Sequence, residues 1–206
     1  MAMTDKRLNF NFSEEYILED NFIKIIPLEE KHIDPLFEIS NDPFIWTYFF
    51  DKGDTYQKLT NYIRLALENR KKQKENPFAI FDKRKNRFTG TTRFYEYSAE
   101  LKTIKLGHTW FGKEFRGTGL NKHCKFLLFD FAFDKLALER IGFGVHAENI
   151  ISIAALQSVG CKKEGVLRNM FPSLDGKGRA DTILMSILRQ EWHTKESAEL
   201  LKKLKA

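Results

Sequence analysis

The most constraining feature of this sequence is a glycine-rich segment that joins a predicted strand to a predicted helix. The strand, Thr103–Phe111, is rich in β-branched and aromatic residues, and apolar residues recur at helical spacing after Gly119. Gly112, Gly117 and Gly119 permit a tight turn and let a ligand approach the backbone closely. Because the first N–H groups of a helix are unpaired and carry partial positive charge, this segment is suited to a phosphate or diphosphate.

Three further interpretations of the same segment follow from its residue pattern. Arg116-Gly117-Thr118-Gly119 is also compatible with an ordinary helix entrance. The segment is not a P-loop, because no Gly-Lys-Ser/Thr triplet follows, and it lacks the third glycine of the dinucleotide fingerprint. The residues by themselves therefore predict a phosphate site after a strand and nothing more specific.

The order of predicted elements indicates a mixed α/β (α+β) fold. Helices are predicted at Glu29–Ser40, Thr55–Lys74, Gly119–Leu136 and Ile150–Ser158, with Asp54 as the expected N-cap of the second. A charged helix is predicted at the C-terminal end of the sequence. The predicted strands are Tyr16–Leu18, Phe22–Ile26, Phe78–Phe81, Phe88–Tyr97, Thr103–Phe111, Ile141–Val145, Lys162–Met170 and Thr182–Arg189.

This order predicts one mixed sheet with helices on its faces. The strands before Gly112 are separated by turns and can pair antiparallel. The strand at Ile141 follows a helical crossover, so it is expected to run parallel to Thr103–Phe111.

Composition favours a globular domain and excludes several other classes. The 206 residues are 42% apolar and include 19 phenylalanines, which can fill a sizeable core. We expect residues 1–15 to be a frayed N-terminus and residues 16–206 to form a single domain. The net charge of +6 arises from basic residues spread along the chain, so a nucleic acid partner is not expected.

Membrane, secretory and metal-binding classes are also disfavoured. The chain has no run of about 18 apolar residues and no apolar segment near its N-terminus, so we expect no membrane partner and a cytoplasmic location. Cys124 and Cys161 are far apart and lack C-x-x-C spacing, so neither a disulfide framework nor a metal site is expected. Cys124 lies on an apolar helical stripe and is predicted to be a small buried residue.

Three ordered blocks of sequence resemble the GNAT acetyltransferases. They are Arg116–Gly119, then Asn149–Ser152 with Leu156 and Gly160, then Glu164–Arg168. The three blocks in this order resemble the branch that acetylates ribosomal-protein N-termini (alanine or serine). Segments near the two ends of the chain are also similar to that branch, namely Ile17–Asp20, Ile26–Leu28, Gly178–Asp181 and Glu191-Trp192. The resemblance covers roughly residues 16–192.

The resemblance implies a twisted, mostly antiparallel mixed sheet with helices on both faces, splayed between its two central parallel strands. It implies that acetyl-CoA lies in this splay as cosubstrate, with its diphosphate on backbone N–H groups and its pantetheine arm along the end of Thr103–Phe111. The family often has other residues in place of Glu114 and Asn121, but it binds the phosphate mainly through the backbone. The cofactor-binding residues so implied are Trp110, Phe111, Lys113, Glu114, Arg116, Gly117, Thr118, Gly119, Leu120, Asn121, Asn149 and Ser152.

The resemblance also implies direct transfer of an acetyl group to a primary amine, on a protein N-terminus or a small molecule, without an acyl-enzyme. Ser152 is the candidate proton donor for the leaving thiolate. Its alternative role is structural, as the third helical residue after the N-cap Asn149. His108 is the candidate base, since its unperturbed pKa of about 6.5 suits the task. Its alternative role is that of a packed histidine. Weaker candidates for the base are Glu96, Glu100 and His146.

The base and the acceptor remain open at this stage. Phe171 stands where the ribosomal-protein enzymes carry a glutamate base, so a water chain is one alternative. A catalytically silent CoA-binding sensor or scaffold is the alternative function. The aromatic segment Phe44–Phe50 is expected either to line an acceptor pocket or to cover the core. A homodimer is compatible with the resemblance.

Overall fold

The computed structural model describes residues 10–205, within which eight strands form one mixed sheet. The strand order is β1-β2-β3-β4-β5-β6-β8-β7, and only β5 and β6 are parallel neighbours, as predicted. The strands are β1 (Leu18–Glu19), β2 (Ile23–Pro27), β3 (Glu75–Asp82), β4 (Arg87–Ser98), β5 (Thr103–Phe111), β6 (Arg140–His146), β7 (Lys162–Pro172) and β8 (Arg179–Leu188).

Helices cover both faces of the sheet. The helix pair α1 and α2 packs on β4 and β3, whereas α3 contacts β1, β2 and the C-terminal helix. Shorter helical turns lie at Glu30–His32, Pro43–Trp46, Lys113–Phe115, Phe131–Lys135 and Trp192–Glu196. The helices are α1 (Ile33–Ser40), α2 (Tyr56–Lys71), α3 (Leu120–Asp130), α4 (Ile150–Ser158), α5 (Arg189–Glu191) and α6 (Ser197–Lys205).

The sheet opens between its two parallel strands. β5 and β6 pair over three residues at their start, and the last pair joins Lys105 to Gly142. β5 continues to Phe111 and β6 continues to His146 beyond that pair. The strands are therefore splayed over their second halves, which leaves one edge of β5 unpaired there.

A β-bulge interrupts β5 within the splayed half. Thr91 of β4 opposes Trp110 and Arg93 opposes Gly107, so one residue of β4 faces two residues of β5. His108 lies in the bulge with φ of 49°, an uncommon value for a residue with a side chain. The bulge places His108 at the opening of the sheet.

Several helix boundaries differ from the sequence prediction. The first helix begins with a tighter turn at Glu30–His32 and is α-helical only from Ile33, and α2 ends at Lys71 instead of Lys74. Asp54 is not the N-cap of α2, because the Thr55 side chain accepts the hydrogen bond from the Lys58 N–H while Asp54 pairs with the Lys58 ammonium at 3.0 Å. The predicted helix Gly119–Leu136 ends as an α-helix at Asp130, and a wider π-helical turn follows. In contrast, α4 has the predicted bounds.

The core extends further toward the N-terminus than predicted. Phe10 and Phe12 are buried, and their ring centres lie 5.1 and 6.3 Å from that of Tyr97. The prediction that residues 1–15 are frayed is therefore wrong from Phe10 onward, while residues 1–9 lie outside the described residues. Cys124 is fully buried, as predicted.

Candidate active site

The glycine-rich loop directs backbone N–H groups toward open space. Gly117 and Gly119 have φ of 72° and 88°, the left-handed region that favours glycine, and a Cβ at either would meet no atom within 4 Å. Among the described residues, the N–H groups of residues 117–121 find no backbone or side-chain acceptor. Thr118 turns its hydroxyl inward, donating to the Phe115 carbonyl at 2.7 Å. The loop and the start of α3 therefore fit a diphosphate.

Arg116 holds this loop in place through its side chain. Its Nε donates to the Phe111 carbonyl at 3.0 Å, and its Nη2 lies 2.8 Å from an oxygen of Asp42. The guanidinium also lies 4.9 Å from the centre of the Phe44 ring. These contacts fix the loop to the end of β5 and to the segment before α2, so Arg116 can act on a bound anion by positioning the amides.

The charged residues before the loop lie at the surface. Lys113 is exposed, and the Glu114 carboxylate pairs with Arg87 at 2.8 Å and with Lys85 at 3.6 Å. Arg87 and Lys85 therefore offset the negative charge of Glu114 beside the predicted anion site, and Arg87 also pairs with Glu38 at 3.4 Å. Lys113 and Glu114 remain predicted cofactor-binding residues.

Several predicted cofactor-binding residues have buried side chains. Trp110 packs against Trp46, with ring centres 5.4 Å apart, and Phe111 and Leu120 are also buried. At these positions the backbone can face a ligand while the side chain belongs to the core. Asn121 is half-buried in the first turn of α3.

His108 lies among aromatic rings beside the splay. It is half-buried, with its ring centre 6.2 Å from Phe49 and 5.6 Å from Tyr95. Burial, and secondarily the charge of Arg93, lowers the pKa of His108 to about 3. His108 is therefore neutral at physiological pH and a much weaker base than its unperturbed pKa predicts.

Asn149 and Ser152 form the start of α4, directly after β6. The Asn149 side chain accepts a hydrogen bond from the Ser152 N–H at 3.1 Å, which confirms Asn149 as the N-cap. The Ser152 hydroxyl is half-buried and has no hydrogen-bond partner within the described part of the chain. It is thus free to contact a ligand in the splay.

An aromatic wall lies beside the start of α4, formed by Tyr48, Phe50, His146 and Phe171. Successive ring centres are 5.2 Å (Tyr48 to His146), 5.6 Å (His146 to Phe171) and 5.2 Å (Phe171 to Phe50) apart. The Tyr48 hydroxyl donates to the Glu148 carbonyl at 2.9 Å, which ties the wall to the β6–α4 junction.

Part of the segment Phe44–Phe50 covers the core, as predicted, while its role in an acceptor pocket stays a prediction. Trp46 belongs to the core, whereas Phe50 is 69% exposed at the edge of the wall. The segment also reaches the glycine-rich loop, since Phe44 lies under Arg116. It connects the predicted anion site with the aromatic wall.

The weaker candidates for the base are already engaged or lie at the surface. His146 is buried, its Nδ1 accepts from the Glu148 N–H at 3.3 Å and its Nε2 lies 3.4 Å from the Pro172 carbonyl. Glu96 pairs with Lys105 at 2.6 Å, and Glu100 is exposed in the turn before β5.

Sequence reasoning did not single out Asp42 or Lys125. Asp42 is recognisable only as a cap before Pro43, and its pairing with Arg116 is long-range. Lys125 stands between Cys124 and the apolar residues of the next turn. A lysine next to a predicted buried stripe is the sequence feature that could have identified it. Both residues contact groups that line the splay or the loop.

Two general findings concern the described part of the chain. Across residues 10–205, no helix is long and apolar enough to cross a membrane. The same residues contain no group of three or more His, Cys, Asp or Glu side chains arranged to hold a metal ion.

Comparison with known proteins identifies the family. The acetyltransferase (GNAT) domain family matches residues 23–162. The uncharacterized N-acetyltransferase p20 of Bacillus licheniformis is 29% identical over 171 residues, which cover 80% of this chain and 92% of p20. This chain therefore belongs to the GNAT acetyltransferase family, and its class of enzyme is an N-acetyltransferase.

Solved structures show the same fold. A GCN5-related N-acetyltransferase from Brucella melitensis has a TM-score of 0.82 at 24% identity, covering 93% of this chain and 86% of that one. Mycobacterium smegmatis RimJ, solved in complex with CoA-disulfide, has a TM-score of 0.75 at 18% identity, covering 92% and 93%. The predicted GNAT fold, with its splayed mixed sheet, is confirmed.

Proposed function

We propose that this enzyme transfers an acetyl group from acetyl-CoA directly to a primary amine on a protein N-terminus or a small molecule. One observation carries the proposal. The unpaired edge of β5 begins after Lys105 and leads to the loop whose N–H groups at residues 117–121 lack acceptors. A ligand with an anionic end and an extended arm fits both features at once.

The residues of the chain divide the task of holding acetyl-CoA. The N–H groups of Gly117–Asn121 bind the diphosphate, with Arg116 positioning the loop. The unpaired edge of β5 near Trp110 and Phe111 aligns the arm, as an added strand would. Asn149 orients the start of α4 beside it.

Bound acetyl-CoA supplies the acyl thioester that a neutral amine attacks. The Ser152 hydroxyl holds a proton that it can donate at the departing sulfur, because its oxygen is free of protein partners in the described chain. His108 stays neutral and shapes the pocket together with Phe49 and Tyr95. With Phe171 in place of a carboxylate, the proton of the attacking amine passes to water.

The aromatic wall favours an acceptor that presents apolar surface beside its amine. Phe171 adds an apolar face at the position where the ribosomal-protein enzymes carry a glutamate base, and Phe50 extends that face outward. Peptide N-termini and polyamines both offer an amine on a chain that can pack there. The cytoplasmic location, the homodimer, the single-domain organisation and the lack of a nucleic acid partner stay predictions.

A panel of amines tests the proposal. Purified protein is incubated with acetyl-CoA and peptides beginning with Ala or Ser, polyamines or aminoglycosides, and thiol release is followed with mass spectrometry of the acceptor. We expect at least one amine to raise thiol release well above hydrolysis and to gain an acetyl group. Binding of acetyl-CoA without transfer to any amine would favour the silent sensor, and no binding would refute both.

A further inference from the structure

Lys125 is a buried lysine without a carboxylate partner in the part of the chain that is described. It lies on α3 and is 3% exposed. Its Nζ donates to the Thr109 hydroxyl at 3.1 Å and forms no ion pair with an acidic residue among residues 10–205. An ammonium group carries three N–H donors, so one hydrogen bond leaves it incompletely satisfied.

The tip of Lys125 lies where the parallel strands separate. Thr109 belongs to β5 and Phe143 to β6, and both follow the last β5–β6 pair, Lys105 with Gly142. The Lys125 Nζ is 5.8 Å from the centre of the Phe143 ring as well as bonded to Thr109. The ammonium therefore spans the splay from the side that α3 covers.

The position along α3 identifies the part of the cofactor at this depth. The helix rises about 1.5 Å per residue, so Lys125 lies about 7.5 Å beyond Leu120 along the axis. The N–H groups that suit the diphosphate are at the start of the helix, around Gly119. Lys125 is thus level with the extended arm and not with the diphosphate.

We propose that Lys125 is a cofactor-binding residue that donates a hydrogen bond to an amide carbonyl oxygen of the pantetheine arm. This inference rests on the proposed function, since it requires coenzyme A in the splay. A buried lysine with few partners destabilises a protein unless a ligand or a charge satisfies it. Burial also lowers the pKa of Lys125, in agreement with a site that lacks a compensating anion.

A purely structural role is the competing explanation. The Thr109 hydroxyl is 2.8 Å from that of Thr92, so Lys125 could serve only to tie α3 to β5 and β4 through the two threonines. That role predicts that removal of the ammonium destabilises the protein and affects all ligands alike. Cofactor binding predicts a loss confined to ligands that possess the arm.

Calorimetric titration separates the two roles. Coenzyme A and adenosine 3′,5′-bisphosphate, which lacks the arm, are titrated into the wild-type protein, Lys125→Met and the control Lys122→Met on the same helix. We expect Lys125→Met to bind coenzyme A about tenfold more weakly, as for a lost hydrogen bond to a charged donor, with affinity for the bisphosphate within about twofold. The control should bind coenzyme A more tightly than Lys125→Met does.

Other outcomes overturn the inference. Coenzyme A affinity within about twofold of wild type, or an equal loss for both ligands with a lower unfolding temperature, shows that Lys125 does not bind the arm. A wild-type protein that binds neither ligand refutes the proposed function itself, which is a distinguishable result.

A second measurement avoids any folding defect of the variant. The side-chain carbon resonances of Lys125 are followed in labelled wild-type protein. They should shift on addition of coenzyme A and move much less with the bisphosphate. Equal shifts with both ligands, or none with either, would contradict the contact.

Discussion

Arg116 and Asp42 form an ion pair, at 2.8 Å, that joins the glycine-rich loop to the segment before α2. Asp42 uses its other oxygen to accept the Phe44 N–H at 3.0 Å, so the carboxylate serves two elements. Arg116 in turn also donates to the Phe111 carbonyl. The glycine-rich loop is thereby held by two hydrogen bonds of the Arg116 side chain, which leave the loop amides free.

Arg116→Met should weaken coenzyme A binding by about tenfold, because the loop loses two charge-assisted hydrogen bonds that fix its amides. Asp42→Asn should have a smaller effect, since Arg116 keeps its bond to Phe111 and the cap at Phe44 persists. Calorimetric titration of both variants measures this. Wild-type affinity in Arg116→Met would show that the loop holds its shape without this side chain.

Gly119→Val should weaken coenzyme A binding by more than about tenfold, because valine is strained at a φ of 88° and the amides move. Gly176→Val is the matched control, since Gly176 has φ of 71° and also open space around a Cβ. Both variants should lose similar stability, and only Gly119→Val should lose affinity. An equal loss of affinity in the two would place the site elsewhere.

Ser152→Ala should lower kcat by about tenfold or more while the KM for acetyl-CoA stays within about twofold, because the hydroxyl acts on the leaving group and not on cofactor affinity. Ser158→Ala on the same helix is the control, since its hydroxyl is bonded to the Ala155 carbonyl. Steady-state kinetics with the preferred amine measures both. Unchanged turnover in Ser152→Ala would remove Ser152 from the mechanism.

His108 should make the free energy of unfolding depend on pH. Its pKa is lowered from 6.5 to about 3 in the folded protein, chiefly by burial. Between these two pH values the unfolded chain therefore binds more protons than the folded protein does. The free energy of unfolding rises with pH across this range, and above it His108 no longer destabilises the folded protein. Urea unfolding at pH 5 and pH 7.5 should show a smaller difference in His108→Gln than in wild type. An equal difference in both proteins would contradict the assigned environment.

The sequence predicted the elements whose signals are local. β5 was found at Thr103–Phe111 because its residues are β-branched or aromatic and turns flank it. α4 was found with its cap, since Asn149 precedes an apolar helical run. Parallel pairing of β5 and β6 followed from the intervening helix.

The sequence prediction was wrong where contacts distant in sequence, or small differences between neighbouring residues, determine the structure. Thr55 is the cap of α2 and Asp54 pairs with the Lys58 side chain instead, although both residue types suit a cap, so residue type alone did not distinguish them. The π-helical turn after Asp130 adds one residue to a turn, which hydrophobic spacing does not reveal. Phe10 and Phe12 are buried by contacts with Tyr97, far along the chain.

The backbone conformation of the glycine-rich loop agrees with the sequence prediction, whereas the side-chain contacts around it were not predicted. The positive φ of Gly117 and Gly119 agrees with their predicted role in the turn. The pKa of His108 and the pairing of Arg116 with Asp42 depend on neighbours from other elements, so no local pattern contains them. Lys125 was missed for the same reason, since its partner lies on β5.

The most direct test is a two-dimensional amide NMR titration of the wild-type protein. Coenzyme A should shift the amide signals of residues 117–121 strongly. Adenosine 3′-phosphate 5′-diphosphate, which has the diphosphate but no arm, should do the same. Pantetheine, which has the arm but no diphosphate, should leave these signals nearly unchanged. If coenzyme A binds and the amides of residues 117–121 do not respond, the loop does not hold the diphosphate and the proposed site is wrong.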